Sequence, residues 1–357
     1  MSAIPELPSK RIPYVRLGKS GLKVSKIILG CMTYSSGEGT GWAGQNWYLS
    51  EEEAVKHIKY AYDAGIQTFD TANVYSNGQS EEILGRAIKK LNLPREEIVV
   101  MTKFTAHVCK NVQDFVINPE EAETEIRCVN QYGTSRKHIF DAVQASLKRL
   151  QLDYIDVLQV HRFRDGANIE EMMEALHDVV KAGWVRYIGM SSCYAWQFHV
   201  MQSYAISNRL TPFISMQDHH SLIYREEERE MFPTLKHFGV ASIPWSPLGR
   251  GLLCRPFSEQ KATARGQSDW YSGMYQQNPA LKAIIDRVEE LSKKKGVSMA
   301  QISIAWSLSK DVVAAPIVGT TSLANLKDII EGALLQLTEE EIKYLEEPYV
   351  PLKVMGH

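Results

Sequence analysis

The chain has 357 residues, of which 44% are hydrophobic and 23% are charged, and it contains 23 glycines and 14 prolines. This composition excludes a disordered or fibrous protein and indicates a globular one. The formal net charge of -2 offers no basic surface to a phosphate backbone, so nucleic acid is not expected as a partner.

The cysteines and the amino terminus indicate the compartment. The five cysteines lie far apart, with no C-x-x-C pair, which is typical of a reducing environment. Residues 1–18 carry prolines and frequent charges where a signal peptide needs an apolar segment. No run approaches the roughly 20 apolar residues of a membrane span. We therefore predict a cytoplasmic protein without a membrane partner.

Short apolar segments alternate with amphipathic helical segments along the chain. Residues 1–25 precede this alternation and are expected to form a hairpin around residues 19–21. The alternation is typical of parallel strands joined by crossover helices. Eight strands are predicted, at residues 26–32, 66–72, 97–104, 154–161, 185–192, 213–217, 240–245 and 312–318.

Helix patterns occupy segments between these strands. The first helix has a capping box of Ser50 and Glu53, and it ends at Gly65. Further helices are predicted at residues 80–91, 135–150, 169–183, 299–310 and 323–333, with a last one in residues 338–357 that breaks at Pro348.

Eight strand-helix units without a linker favour a closed (β/α)₈ TIM barrel over an open doubly wound sheet. Residues 1–357 are accordingly expected to form one domain. Residues 105–134 and 249–278 are long segments after the third and seventh barrel strands. They should lie at the carboxyl-terminal mouth of the barrel and form walls of a substrate site.

Three local patterns are not expected to bind ligands. Residues 39–44 contain G-x-G-x-x-G, but this pattern does not lead from a strand directly into a helix. Residues 18–20 imitate the end of a P-loop without its first glycine. His219 and His220 lack H-E-x-x-H spacing, so no metal site is predicted.

Four polar side chains lie at or just after the ends of the second, third and fourth barrel strands: Asp70, Tyr75, Lys103 and His161. Strand ends converge in a barrel, so these groups should meet. A phenol is a weak acid at neutral pH unless a cation such as Lys103 stabilises its phenolate. Asp70 would support the lysine charge, and His161 would orient a substrate oxygen. This set suits hydride transfer to a carbonyl, with the hydride carried by a cofactor.

The four residues, in the contexts FDTANVY, MTKF and LQVHRF, resemble the catalytic tetrad of the aldo-keto reductases. The resemblance extends from RLGKSGLKVSKIILG to GTTSLANL. Four segments are similar to those of the fungal and yeast branch of the family, which includes aryl-alcohol dehydrogenase and versiconal hemiacetal acetate reductase types. These segments are DYIDVLQVHR, KAGWVRYIGMSS, YREEEREM and IPWSPLGRGLL. The resemblance implies a barrel that binds NADP(H) and reduces aldehydes or ketones to alcohols, with Tyr75 as general acid.

The resemblance also implies a cofactor site. Ser191 and Gln217 would hold the nicotinamide carboxamide, and Trp245 would stack on the ring. Backbone N–H groups of residues 246–251 and the start of the helix near residue 319 suit phosphates, with Arg265 adding charge. The expected cofactor-binding residues are Gly30, Met32, Asp70, Ser191, Ser192, Gln217, Trp245, Ser246, Pro247, Leu248, Gly249, Gly251, Arg265, Gly319, Thr320, Thr321, Ser322 and Asn325.

Aromatic residues in the mouth loops suggest the substrate. They are Trp42, Trp47, Tyr48, Phe104, His107, Phe115, Trp270, Tyr271 and Tyr275. Aromatic walls suit flat or apolar carbonyl compounds. We expect an aromatic or polyketide-like carbonyl substrate, in contact with Tyr75, His161, Trp42 and Phe104.

Two other functions fit a barrel of this kind. The chain also resembles potassium-channel β subunits, so a cofactor-binding regulatory subunit is an alternative, although an intact tetrad argues against a purely structural role. A third possibility is an isomerase of phosphorylated sugars that uses no nicotinamide. The sequence does not indicate an oligomeric state.

Overall fold

The strands form a parallel barrel preceded by a short hairpin. The computed structural model describes residues 4–36, 47–110, 124, 128–164 and 166–357, so the glycine pattern at residues 39–44 lies outside the described part. The strands are β1 (Tyr14–Arg16), β2 (Lys23–Ser25), β3 (Ile28–Gly30), β4 (Thr68–Asp70), β5 (Val99–Phe104), β6 (Ile155–Val160), β7 (Val185–Ser191), β8 (Phe213–Gln217), β9 (Ala241–Ser242) and β10 (Ile317–Val318).

Strands β3 to β10 make an eight-stranded parallel sheet in the order β10-β3-β4-β5-β6-β7-β8-β9. Its two edges meet around Ser242. The Ser242 N–H donates to the Val312 carbonyl, and the Ala314 N–H donates to the Ser242 carbonyl, both at 2.9 Å. These bonds close the sheet and confirm the predicted (β/α)₈ barrel, although several strands are shorter than predicted.

The helices pack around this barrel. They are α1 (Glu51–Asp63), α2 (Gln79–Lys90), α3 (Arg136–Leu150), α4 (Ile169–Lys181), α5 (Ala195–Ser207), α6 (Met231–Phe238), α7 (Ala264–Ser268), α8 (Leu281–Lys295), α9 (Met299–Leu308), α10 (Leu323–Gly332) and α11 (Glu339–Glu346). The capping box of Ser50 and Glu53 is present at the start of α1. Among the described residues, no helix is both long and apolar enough to cross a membrane.

The hairpin of β1 and β2 closes the amino-terminal end of the barrel. Tyr14–Arg16 pairs antiparallel with Lys23–Ser25, as predicted. Leu17 and Val24 pack against the residues inside the barrel. A Cβ at Gly18, whose φ is +60°, would lie 2.7 Å from the Gly239 carbonyl oxygen, so only glycine fits this turn.

Side chains alternate between the two faces of each strand, and this alternation positions the site. Along β5, Val99 and Met101 belong to the cluster inside the barrel, whereas Val100 and Phe104 pack in the layer under the helices. Lys103 comes two positions after Met101, so the same alternation directs its side chain inward. The barrel therefore buries apolar side chains at its base and brings polar ones together at its carboxyl-terminal mouth.

Candidate active site

The four tetrad side chains meet at the mouth of the barrel. Asp70 ends β4, Lys103 lies in β5, and His161 directly follows β6. The Lys103 Nζ donates to Asp70 Oδ2 at 2.6 Å and to the Tyr75 hydroxyl at 3.2 Å. The Tyr75 and His161 rings are perpendicular, with centroids 5.9 Å apart. The structure thus brings together the groups that the sequence pattern singled out.

Lys103 is buried but keeps its charge. Its side chain is 0% exposed, and its Nζ also donates to the Thr71 carbonyl oxygen at 2.8 Å. Burial alone favours the neutral amine. The carboxylate of Asp70 and the phenol of Tyr75 outweigh this effect, so the pKa of Lys103 is raised. The raised pKa favours the charged ammonium beside the Tyr75 hydroxyl.

Two glutamines hold the second oxygen of Asp70. The Nε2 atoms of Gln159 and Gln217 donate to Asp70 Oδ1 at 2.8 and 3.0 Å. The Gln217 Nε2 also lies 2.8 Å from the Gln159 Oε1. Both oxygens of the buried carboxylate are therefore hydrogen-bonded, which fixes its orientation toward Lys103.

His161 is neutral. Burial, followed by the positive charges of Arg162 and Lys103, holds its pKa well below the usual range. A neutral imidazole can donate one hydrogen bond through one ring nitrogen. His161 therefore supplies a donor to this site without adding a further charge.

A cavity of about 480 Å³ extends from these residues across the mouth. Its lining includes three of the four tetrad residues, Asp70, Tyr75 and His161. It also includes most of the expected cofactor-binding residues: Gly30, Met32, Gln217, Trp245, Ser246, Pro247, Leu248, Gly251, Arg265, Gly319, Thr320, Thr321 and Asn325. These residues come from both ends of the chain and meet along one continuous surface.

Ser191 and Ser192 do not line this cavity but lie behind residues that do. The Ser191 hydroxyl donates to the Gln217 carbonyl oxygen at 2.8 Å. The Trp245 Nε1 donates to the Ser192 hydroxyl at 3.0 Å. Both serines are almost fully buried. In this structure their hydroxyls hold Gln217 and Trp245 in place.

Gly249 and Ser322 also lie outside the lining, for local reasons. A Cβ at Gly249 would lie 2.5 Å from Ile223 Cδ1, so this glycine allows close packing behind the loop. The Ser322 hydroxyl accepts from the Asn325 N–H and caps α10. Its side chain is engaged in starting the helix.

The residues that do line the cavity fit a phosphate-bearing cofactor. Arg250 and Arg265 share one carboxylate, with Asp269 Oδ2 2.7 and 2.9 Å from their Nε atoms. Two guanidiniums around one carboxylate leave a net positive charge. Gly251 and Gly319 present backbone without side chains, and the Trp245 indole offers an aromatic face. Phosphates and a flat ring would find matching groups here.

Phe104 does not contact the cavity, which corrects the expectation that it binds substrate. It follows Lys103 along β5, so its side chain points to the opposite face of the strand. There it is 0% exposed and packs against His138 of α3, with ring centroids 6.2 Å apart.

The other loop aromatics divide between the cavity and the protein interior. Trp47 and Tyr271 line the cavity, whereas His107 and Tyr275 are buried and Tyr48 is half-buried outside the lining. The expected Trp42 and Phe115 lie outside the described residues, as does the side chain of Trp270.

Sequence reasoning missed Gln159 and Arg162. Gln159 precedes His161 by two positions, so strand alternation alone places it on the same face. That signal was present in LQVHRF. Arg162 lines the cavity immediately after His161, but nothing local distinguishes it from a solvent-exposed arginine.

His219 and His220 are buried and hydrogen-bonded rather than arranged as metal ligands. His219 lies 2.5 Å from the Tyr275 hydroxyl, and His220 lies 2.9 Å from Glu228. Within the described residues, no group of three or more His, Cys, Asp or Glu side chains could hold a metal ion.

Comparison with known proteins agrees with this geometry. The model of the Aldo/keto reductase family matches residues 26–349. A protein of Schizosaccharomyces pombe named "Putative aryl-alcohol dehydrogenase" is 49% identical over 355 residues, covering 96% of this chain and 97% of the relative. Versiconal hemiacetal acetate reductase of Aspergillus parasiticus is 49% identical over 343 residues, covering 95% and 97%.

A third relative, an aldo-keto reductase of Metarhizium robertsii, is 41% identical over 363 residues, covering 100% of this chain and 96% of the relative. These matches confirm the resemblance predicted from the sequence and give no support for a channel subunit. They indicate an oxidoreductase that acts on a small-molecule carbonyl, and the chain belongs to the aldo/keto reductase family.

Proposed function

We propose that this protein is a single-domain, NADP-dependent carbonyl reductase that converts aldehydes or ketones to alcohols, with Tyr75 as the proton donor. The observation that carries the proposal is the 3.2 Å contact between the Lys103 Nζ and the Tyr75 hydroxyl beside the cavity. A bound NADPH would supply the hydride, which is chemistry that protein side chains do not provide.

The cofactor would lie along the lining already described. Trp245 is suited to stack on the nicotinamide ring, and Gln217 to bind its carboxamide. The backbone of residues 246–251 and the start of α10 would bind the pyrophosphate and phosphates. Arg265 would face the 2′-phosphate that distinguishes NADP from NAD.

Proton transfer follows from the charges at the tetrad. As negative charge develops on the carbonyl oxygen, Tyr75 donates its proton and the Lys103 ammonium stabilises the phenolate that remains. Asp70 keeps the lysine charged. Neutral His161 donates a hydrogen bond to the same oxygen and orients it. In the direction of oxidation, the Tyr75 phenolate accepts the proton.

The walls of the cavity favour flat substrates. Trp47, Trp245 and Tyr271 line it, and aromatic walls bind aromatic or polyketide-like carbonyl compounds through their ring faces. The printed names of the relatives, an aryl-alcohol dehydrogenase and a versiconal hemiacetal acetate reductase, support the same class of substrate.

The decisive measurement is oxidation of NADPH by the purified protein with 4-nitrobenzaldehyde. Tyr75→Phe removes the proton donor but no cofactor contact, so we expect turnover to fall by ~10²–10⁴-fold while NADPH still quenches tryptophan fluorescence. Tyr344→Phe on α11 is the matched control and should keep full activity. No turnover across a broad panel of aldehydes, or full activity of Tyr75→Phe, would refute the proposal.

A further inference from the structure

Arg162 places a guanidinium at the reacting end of the cavity. It follows His161 and lines the cavity with Tyr75 and Trp245. Its Nη1 donates to the His161 carbonyl oxygen at 2.5 Å and to the Ser191 hydroxyl at 3.3 Å. Its Cζ lies 5.7 Å from the centroid of the Trp245 ring. These contacts fix the guanidinium beside His161 and Trp245, in the cavity that Tyr75 also lines.

Among the described residues, no carboxylate lies close enough to neutralise this cation. Lys103 is paired with Asp70, and Arg250 and Arg265 share Asp269. In the part of the chain that the structure describes, Arg162 has no acidic side chain within 4.0 Å. Its neighbour His161 is neutral. Counted over these described groups, the reacting end carries one positive charge in excess.

Arg162 is half-buried, and a half-buried charge without a partner is costly, so a ligand can supply the partner. Burial lowers the pKa of Arg162, which is the sign of this cost. Only Nη1 of the guanidinium is hydrogen-bonded to the described protein. The edge formed by Nε and Nη2 is therefore available, and two parallel N–H groups match the two oxygens of a carboxylate.

We propose that Arg162 binds a carboxylate of the substrate, so that the preferred substrates are carbonyl compounds that also carry a carboxylate, such as formyl or oxo carboxylic acids. This inference rests on the proposed reductase function and names its substrate class. The carboxamide of a nicotinamide is neutral and cannot balance the charge. The phosphates of the cofactor have their own donors in residues 246–251 and 319–325.

The test compares two substrates that differ only in charge: 4-carboxybenzaldehyde and methyl 4-formylbenzoate. The wild-type protein should have the higher kcat/KM for the acid. Arg162→Gln should lower kcat/KM for the acid by ~10- to 100-fold, mainly through KM, and change that for the ester less than threefold. Arg162→Lys keeps the charge and should retain part of the preference. Arg209→Gln, at an exposed position, is the matched control.

A second readout does not depend on turnover. Benzoate and the neutral benzamide are titrated calorimetrically into the protein with saturating NADP⁺. Benzoate should bind more tightly to wild type, and Arg162→Gln should abolish the difference. The titration measures carboxylate binding even if no aldehyde is reduced. It therefore distinguishes a failure of the proposed substrate class from a failure of the proposed reductase function.

Three results would overturn the proposal. Equal losses for acid and ester would mean that Arg162 acts on the reacting oxygen or on the fold. A weaker NADPH affinity in Arg162→Gln, with the acid preference unchanged, would mean that it contacts the cofactor. Equal affinities of wild type for benzoate and benzamide would mean that no carboxylate is bound at all.

Discussion

The imidazole of His219 lies parallel to the indole of Trp245, with ring centroids 4.0 Å apart and an angle of 12° between the planes. Tyr224 stacks on the other face of the imidazole, also at 4.0 Å. Burial holds the pKa of His219 well below its usual range, so the ring lies in this stack uncharged. The Trp245 indole, on which we propose that the nicotinamide stacks, is thus supported from behind by the rings of His219 and Tyr224.

Replacing His219 should disturb the cofactor site without touching the tetrad. His219→Leu removes the stack and the hydrogen bond to Tyr275, so we expect the free energy of unfolding to fall by about 1–3 kcal/mol. The Kd for NADPH, measured by fluorescence quenching, should rise several-fold, while kcat at saturating cofactor changes little.

His199→Leu on the outer surface of α5 is the control for His219 and should leave the Kd unchanged. An unaltered NADPH affinity in His219→Leu, together with a full loss of kcat, would contradict a positioning role for the imidazole.

Lys103 should be indispensable to both activity and stability. Lys103→Met leaves the buried Asp70 carboxylate without its cation, so we expect the free energy of unfolding to fall by about 3–5 kcal/mol. The double variant with Asp70→Asn should recover part of this loss, because no unpaired charge remains. Denaturant unfolding of the two single variants and the double variant measures the coupling.

The exposed pair of Lys59 and Asp63 offers a comparison within the same chain. Lys59→Met should cost less than about 1 kcal/mol, since solvent screens a surface ion pair. Similar losses for the two lysine variants would show that the buried pair is far more hydrated than its 0% and 2% side-chain exposures indicate.

Arg265 should set the preference for NADPH. Arg265→Gln is expected to raise the KM for NADPH about tenfold or more and to leave the KM for NADH nearly unchanged, because only NADPH carries the 2′-phosphate. Asp269 keeps its bond to Arg250 in this variant, so no carboxylate is left unpaired. Initial rates with the two cofactors measure the ratio, and a parallel rise in both KM values would exclude a phosphate contact.

The fold should lose stability in mild acid. Burial lowers the pKa of His57 and of His138 to about 4, whereas an unfolded histidine titrates near 6.5. As the pH falls, the unfolded chain binds protons first. The stabilisation is therefore fully present above pH 6.5 and declines toward pH 4, by about 2–3 kcal/mol for each histidine.

Urea unfolding at pH 7.5 and pH 4.5 checks this pH dependence. His57→Leu should reduce the difference between the two free energies, because one titrating group is removed. His237→Leu, at an exposed position on α6, should not change it. A wild-type protein as stable at pH 4.5 as at pH 7.5 would contradict the assignment.

Local patterns in the sequence determined the barrel class and three of the strand-end groups of the tetrad. Strand and helix periods are properties of neighbouring residues, so the alternation of elements was readable without a structure. Asp70, Lys103 and His161 stand where predicted parallel strands end, and strand ends of a barrel converge. The cap of Ser50 and Glu53 has the same local origin.

Only the tertiary structure decided which groups touch. Gln159 and Gln217 reach Asp70 from 89 and 147 residues away along the chain, through closure of the barrel. Closure also buried Ser191 and Ser192 behind other residues and turned Phe104 outward. It placed Arg162 in the cavity, where no carboxylate of the described residues pairs with it. Contacts between distant strands depend on register and on the curvature of the sheet, and no local periodicity encodes either of them.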